Sequence, residues 1–128
     1  MRDFRTLKVW VRGHRLVLDV YQATGNFPRE ERYGLAAQLR RSCASIPANI
    51  AEGCGRSGDA ELCRFMLISM GSASELEYQL LLAHDLGLLG TKDYEELSQR
   101  TQEVKRMLST FITRLRKSKE LKSDKLKC

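Results

Sequence analysis

Apolar residues recur along most of the chain at alternating spacings of three and four, which is the repeat of an amphipathic α-helix. The clearest stripe consists of Leu62, Met66, Ser69, Ala73, Leu76, Leu80 and Ala83. Comparable stripes cover residues 9–23, 35–50 and 94–115. No segment alternates with a period of two, so we expect no β-strand. The pattern therefore predicts four helices.

Turn and capping residues mark where these helices are expected to end. We predict helices over about 6–24, 32–52, 57–86 and from 91 onward, with Gly53 as a left-handed cap after the second. Ser57 or Asp59 is the expected cap of the third, and Thr91 that of the fourth. Short connections between long helices favour antiparallel neighbours, so the fold class is all-α, an antiparallel up-down-up-down four-helix bundle. We place the bundle in residues 3–116 and a basic, flexible tail in residues 117–128.

The composition is that of one soluble domain, with 128 residues, 42% of them apolar and 30% charged. No apolar stretch is long enough to span a bilayer, and the N-terminus lacks the apolar core of a secretory signal. We therefore expect a cytoplasmic protein without a membrane partner. The four cysteines (Cys43, Cys54, Cys63 and Cys128) form no Cys-x-x-Cys pair, so we expect free thiols, no metal site and no cofactor.

The formal net charge of +6 is concentrated at the two ends of the chain. Residues 1–15 carry +4 and residues 114–128 carry +5, whereas residues 16–113 carry −3. Lys8, Arg12 and Arg15 share one face of the first helix. Together with further cations they are the candidate nucleic-acid-binding residues: Lys8, Arg12, Arg15, Arg40, Arg41 and Lys117. Binding would be directed at the phosphate backbone, because only Trp10 is interleaved with them. The alternative is an ordinary solvated helix face.

Signals of catalysis are weak. Residues 53–58 match the glycine fingerprint of dinucleotide-binding proteins, but that motif requires a preceding strand, and here a helix precedes it. We interpret it as a glycine-rich turn between helices. Neither His14 nor His84 has a glutamate three residues earlier, which excludes a carboxylate diiron bundle. We predict no catalytic residue and no small-molecule substrate.

A second polar group surrounds Pro47, which is expected to bend the second helix near Cys43. We predict a structural network that fixes helix register or a subunit interface, formed by Arg41, Ser45, Pro47, Asn49, Glu52 and Glu75. Asn49 or Ser45 is expected to bond carbonyls freed by the proline. The small residues 71–74 would let the third helix approach closely.

Several segments together resemble one protein family: residues 4–10 (FRTLKVW), 27–35 (FPREERYGL), 38–41 (QLRR), 45–53 (SIPANIAEG) and 71–77 (GSASELE). The chain resembles the bacterial four-helix-bundle family named for proteins encoded in 23S rRNA intervening sequences, which also carries a ribosomal-protein-like label. Distant relatives are accessory proteins of diversity-generating retroelements, which form rings and bind nucleic acid. The resemblance implies a ring, typically a homopentamer, without enzymatic activity.

Two functions are consistent with these observations. The first is a ring-forming bundle that associates with nucleic acid, RNA being favoured, through its basic surface. The alternative is a structural assembly or protein-partner adaptor that binds no nucleic acid. The alternative predicts that the basic stripe is buried against acidic residues such as Glu75 and Glu77 of a neighbouring copy.

Overall fold

A computed structural model describes the backbone of residues 2–127 and the side chains of residues 2–118. Its four α-helices are α1 (Lys8–Thr24), α2 (Leu35–Gly55), α3 (Asp59–Asp85) and α4 (Thr91–Lys127). Two single 3-10 turns, Phe4–Thr6 and Arg29–Glu31, precede α1 and α2. No strand occurs between residues 2 and 127, and the predicted all-α fold is confirmed.

The turn between α2 and α3 differs from the sequence prediction. Gly53 lies inside α2 rather than after it, and neither Ser57 nor Asp59 caps α3. Gly58 occupies the cap position with a φ of 90°, a backbone conformation that glycine adopts without steric cost. Gly53 serves packing instead, because a Cβ there would lie only 2.9 Å from Cβ of Phe65.

Each helix packs on the next one in the chain, and α4 returns to pack on α1. Helices α2 and α3 are antiparallel: Ser42 bonds to Gln79, whereas Ile46, further along α2, accepts a bond from Ser69, which lies earlier in α3. Helices α3 and α4 are antiparallel as well: Glu77 pairs with Lys105, and His84 contacts Thr91. These pairings are those of an antiparallel bundle with short connections.

The core is built from the predicted apolar stripes. All seven residues of the α3 stripe are buried. The largest side chains that are fully enclosed come from all four helices: Leu16 and Val20, Leu39, Ile46 and Ile50, Met66, Leu76 and Leu80, Val104 and Leu108. Burial of this continuous apolar centre is what holds the four helices together.

The last helix passes without a break through the position where the basic tail was expected to begin. The backbone of residues 117–127 continues α4. The side chains after Ser118, and all of Cys128, lie outside the described residues, so the flexibility of this segment stays a prediction. Within residues 2–127, no helix is long and apolar enough to cross a membrane.

Candidate nucleic-acid interface

A groove of about 400 Å³ lies between the beginning of α1 and the middle of α4. Three cationic side chains line it: Lys8 from α1, and Arg106 and Arg114 from α4. The remaining lining residues are neutral: Thr6, Leu7, Val9, Met107, Thr110 and Phe111. We call this surface the basic groove. Because no carboxylate lines it, the local potential is positive.

Helix geometry explains why these cations converge. Arg106, Thr110 and Arg114 are spaced by four residues and share one face of α4. Lys8 is the first residue of α1, whose first turn contains no acidic side chain. A cation at this end of a helix adds to the positive end of the helix dipole instead of neutralising it. The groove therefore combines three side-chain charges with an uncompensated helix N-terminus.

The sequence-predicted cations fall into two groups in the structure. Lys8, Arg15, Arg41 and Lys117 are exposed, and the described side chains provide none of them with an ion pair. Arg12 is also exposed, but Nη1 of its guanidinium lies 2.6 Å from a carboxylate oxygen of Glu103. Of the predicted stripe, only Lys8 lines the basic groove.

Arg40 has a structural position. Its Nε donates to the hydroxyl of Thr24 at 2.8 Å, and its Nη2 donates to the carbonyl of Tyr21 at 3.2 Å. The guanidinium also lies 4.6 Å from the centre of the Tyr21 ring. Arg40 thus ties α2 to the end of α1, and two of its N–H donors are already used within the chain.

Sequence reasoning missed the two arginines from α4. Arg114 enters the sequence prediction only through the net charge of residues 114–128, and Arg106 does not enter it. The sequence feature that could have revealed them is their spacing of eight residues, which places both arginines on the face of α4 that neighbours α1. A stripe sought within one helix could not reveal a groove that two helices form together.

A second groove, of about 500 Å³, lies further along α1 and α4. It has mixed charge, being lined by Val11, Arg12, His14, Arg15, Leu18, Arg100 and Glu103. Two ion pairs connect the helices here, Arg12 with Glu103 and Arg100 with Asp19. We call this surface the α1–α4 groove. Its paired charges make it a weaker candidate for phosphate than the basic groove.

The predicted polar network is divided into separate groups. The amide of Asn49 donates to the carbonyl of Ser45 at 2.8 Å and to its hydroxyl at 2.9 Å. The Ser45 hydroxyl in turn lies 2.8 Å from that of Ser72 in α3. Asn49 therefore bonds the carbonyl of Ser45, not the Cys43 carbonyl that Pro47 leaves without its helical partner.

The other predicted members of the network lie elsewhere. Glu52 pairs with Arg56 on the surface at 2.7 Å, and Glu75 accepts a hydrogen bond of 3.0 Å from Gln79. Arg41 is exposed, without a bond to any of them among the described side chains. Pro47 is buried against α1, where its ring lies close to Gly13.

A polar chain that was not predicted connects α2 and α3. The hydroxyl of Ser42 donates to Gln79 at 2.6 Å, and Gln79 then donates to Glu75. The hydroxyl of Ser69 donates to the carbonyl of Ile46 at 2.9 Å. Ser42, Ser69 and Gln79 are buried. Ser69 lies within the predicted apolar stripe of α3, and a polar residue in such a stripe is a signal because buried polar groups require partners.

Two buried cysteines, Cys43 and Cys54, are poorly suited to act as nucleophiles. Burial raises the pKa of the Cys43 thiol from 9.0 to about 12 and also raises that of Cys54, so both resist forming the nucleophilic thiolate. Among residues 2–118, no group of three or more histidine, cysteine, aspartate or glutamate side chains is arranged to hold a metal ion.

Comparison with known proteins supplies the family. No curated protein matches the chain. A crystal structure of a protein of unknown function from the S23 ribosomal protein family of Bacteroides thetaiotaomicron has the same fold, with a TM-score of 0.77. Its sequence is 23% identical, and the match covers 82% of this chain and 95% of that one. The family described as 23S rRNA-intervening sequence protein matches residues 5–110. The chain belongs to the 23S rRNA-intervening sequence protein family.

Proposed function

We propose that this protein is a non-enzymatic helical bundle that assembles with copies of itself in the cytoplasm and binds nucleic acid, with RNA favoured. The observation that carries the nucleic-acid part is the basic groove. Lys8, Arg106 and Arg114 surround a neutral, partly apolar floor without any acidic residue. RNA is placed before DNA in the proposal because the family's description refers to a 23S rRNA intervening sequence.

The chemistry of the groove suits a phosphate backbone better than base edges. Lysine and arginine bind phosphate through charge and through donated hydrogen bonds, and the beginning of a helix adds further N–H donors. The neutral floor is mostly apolar, and the hydroxyls of Thr6 and Thr110 are too few donors and acceptors to distinguish one base from another. We therefore expect binding that depends on salt and little on sequence.

Of the remaining exposed cations, Lys117 extends this surface, because it follows Arg114 by three residues on the same side of α4. Arg15 lies two turns beyond Lys8 on α1 and lines the α1–α4 groove instead. Arg12 and Arg40 contribute less, because Glu103 and the Tyr21–Thr24 segment already engage them. Arg41 lies on α2, away from the two helices that form the groove.

The test is a binding titration with a fluorescently labelled structured RNA and a DNA hairpin of the same length. The variant carries Lys8→Gln, Arg106→Gln and Arg114→Gln. We expect its affinity for RNA at 50 mM salt to fall at least tenfold. We also expect the slope of log affinity against log salt to decrease by roughly 2, because three phosphate contacts are lost.

The matched control removes three positive charges at the opposite end of the bundle, through Arg29→Gln, Arg32→Gln and Lys92→Gln. These side chains are exposed, and they lie in the α1–α2 connection and at the beginning of α4. Affinity should change less than threefold. Equal losses in the two triple variants would show that net charge alone attracts RNA. No binding by the unaltered protein at 50 mM salt would refute the nucleic-acid function.

The self-assembly part rests on exposed apolar side chains. Leu67, Ile68, Tyr78 and Leu81 are all exposed on α3, although a soluble monomer rarely presents so many together. The family resemblance leads us to expect a pentamer, which for a 14.6 kDa chain has a mass of about 73 kDa. Light scattering coupled to size-exclusion chromatography measures this directly. A mass of one chain at all concentrations up to 100 µM would contradict self-assembly.

The same apolar face also favours the second candidate, a structural assembly or adaptor without nucleic acid. In addition, Arg12, Arg100 and Lys105 are already paired with carboxylates of their own chain. An oligomer that retains neither RNA nor DNA at 50 mM salt would favour this candidate over the first. Retention that disappears in the basic-groove variant would exclude it.

A further inference from the structure

Two apolar faces of the molecule are not used by its own fold. On α1, Val11 and Leu18 are 48% and 52% exposed and point away from the buried side of the helix. On α3, a stripe with spacings of four and three, Leu67, Gly71, Ser74, Tyr78 and Leu81, lies opposite the buried stripe. We call this stripe the α3 face. Burying such surfaces against a partner is favourable.

These two faces lie on opposite sides of the bundle. Both α1 and α3 pack on α2 and on α4, so they occupy diagonal positions. Their outward surfaces therefore point in opposite directions, and a single contact between two copies cannot bury both surfaces of the same copy. A copy that uses one face in one contact keeps its other face available for the next copy.

Gly71 leaves room for another molecule to approach the α3 face closely. It lies in the middle of α3 with no positive φ, and a Cβ at this position would meet no atom within 4 Å. Glycine destabilises a helix interior relative to alanine. The fold gains nothing from this glycine, in contrast to Gly13 and Gly53, which allow close contacts inside the chain. The missing side chain leaves room for an atom of another molecule.

Tyr78 and the α1–α4 groove have complementary forms. Tyr78 follows Gly71 by two turns and is 61% exposed, so its ring projects from the α3 face. The α1–α4 groove has a volume of about 500 Å³ and an apolar side formed by Val11 and Leu18. An aromatic ring that carries a hydroxyl group suits a groove with an apolar side and a polar rim.

The charges beside the two surfaces are also complementary. Glu75 and Asp85 flank the α3 face, and both are exposed. Glu75 accepts one hydrogen bond from the neutral amide of Gln79, and the Asp85 carboxylate lies 3.6 Å from Nδ1 of His84. Arg15 lines the α1–α4 groove without an ion pair among the described side chains. Complementary charges beside two surfaces favour their association over that of like-charged surfaces.

We propose that the α3 face of one copy docks on the α1–α4 groove of a second copy, with Tyr78 inserted into that groove. This inference rests on the proposed self-assembly and names the surfaces that produce it. The contact is heterologous, because it joins two different surfaces. Repetition of a heterologous contact closes into a ring when the rotation between successive copies permits it.

The first test replaces one surface at a time and measures mass by light scattering. Tyr78→Glu alters only the α3 face and Leu18→Glu only the α1–α4 groove. Because each contact requires one surface of each kind, both variants should become monomeric with unchanged helicity. Tyr33→Glu is the matched control: Tyr33 is 89% exposed in the α1–α2 connection, and its replacement should leave the oligomer intact.

Cysteine cross-linking identifies which surfaces meet. In a background with all four native cysteines replaced by serine, Tyr78→Cys and Val11→Cys chains are mixed and oxidised. We expect disulfide-linked dimers that contain one chain of each kind, in at least tenfold excess over dimers of identical chains. Dimers of two Tyr78→Cys chains would overturn the proposal in favour of a symmetric α3–α3 contact. An intact oligomer without the mixed dimer would also overturn it.

Gly71 provides an independent readout. Gly71→Ala should raise the dissociation constant of the oligomer at least tenfold, since the added methyl occupies the space of the partner. The same substitution in the monomeric Leu18→Glu background should raise the melting temperature. An unchanged dissociation constant would contradict close approach at Gly71. A monomeric unaltered chain would refute both self-assembly and this docking. An oligomeric chain that fails the tests above would refute only the docking.

Discussion

The α2–α3 and α1–α4 contacts hold the bundle together by different means. Between α2 and α3, buried hydroxyl and amide groups bond across the interface, and Gly53 brings the helices close together. Between α1 and α4, two ion pairs join the helices at the surface, and two grooves remain open. A closed interface fixes helix register, whereas an open one leaves surface for partners. The basic groove and the α1–α4 groove accordingly lie along α1 and α4, whereas the α3 face lies on the outward side of α3.

The largest expected effect comes from filling the closest approach in the α2–α3 interface. Gly53→Ala would place a methyl group 2.9 Å from Cβ of Phe65 and 3.1 Å from Cδ1 of Leu62. Because the nearer atom is next to the backbone and cannot rotate away, the helices must separate. We expect a loss of about 1–3 kcal/mol in the free energy of unfolding, measured by urea denaturation.

Gly71→Ala in the monomeric Leu18→Glu background is the matched control for this substitution. It places the same methyl group in a helix interior where nothing lies within 4 Å. We expect a gain of about 0.5–1 kcal/mol, which is the ordinary advantage of alanine over glycine in a helix. Equal effects of the two substitutions would show that the α2–α3 interface is not closely packed at Gly53.

The next effect concerns the buried hydrogen bond of Ser69. Ser69→Ala removes the hydroxyl that donates to the carbonyl of Ile46 at 2.9 Å in a fully buried position. We expect a loss of about 1–2 kcal/mol relative to Ser109→Ala, an exposed position in α4. Ser109→Ala brings the same gain in helix propensity as Ser69→Ala. The difference between their free energies of unfolding therefore measures the contribution of the hydrogen bond. A difference below about 0.3 kcal/mol would mean that this bond contributes little beyond what water would provide.

These features differ in how far the sequence could predict them. Spacing determines which residues share a face of a helix, so the α3 stripe and the exposure of Lys8 and Arg15 could be predicted. Spacing does not determine which residue lies opposite on another helix. Gln79 and Ser42 are separated by 37 positions, and only the assembled bundle brings them within 2.6 Å.

Long charged side chains were the hardest to place for the same reason. Arg12 and Arg40 were grouped with the free cations, although Arg12 reaches Glu103 and Arg40 reaches back to α1. Each has several rotatable bonds, and the choice of partner depends on the rotation of a neighbouring helix. The basic groove was missed because its cations come from two helices far apart in the sequence.

The third prediction concerns the pH dependence of stability that the buried Cys43 thiol causes. Burial raises the pKa of the Cys43 thiol from 9.0 to about 12, and the thiol also lies 3.3 Å from the carbonyl of Arg40, to which it donates. Above pH 9 the unfolded chain loses this proton while the folded chain keeps it, so stability falls as pH rises through the window from 9 towards 12.

The measurement compares unfolding free energies at pH 8 and pH 10 for the unaltered chain and for Cys43→Ala. We expect the unaltered chain to lose about 1 kcal/mol more than the variant over this interval. The comparison cancels the titration of lysine and tyrosine side chains, which both proteins share. Identical pH dependence would show that water reaches Cys43 and that the α2–α3 side of the core is not dry.

The smallest effect is expected at the surface of the α1–α4 interface, and it is the one that most sharply separates folding from binding. Arg12→Ala breaks the ion pair with Glu103, in which the side chains are 58% and 38% exposed. Solvent screens such pairs, so a double-mutant cycle with Glu103→Ala should give a coupling energy below about 0.5 kcal/mol. A coupling above about 1.5 kcal/mol would mean that ion pairs fix this interface as firmly as buried hydrogen bonds fix the other. If the coupling is small, the Arg12–Glu103 pair is nearly dispensable for folding, and any loss of RNA affinity in the Arg12→Ala variant must come from the binding surface itself.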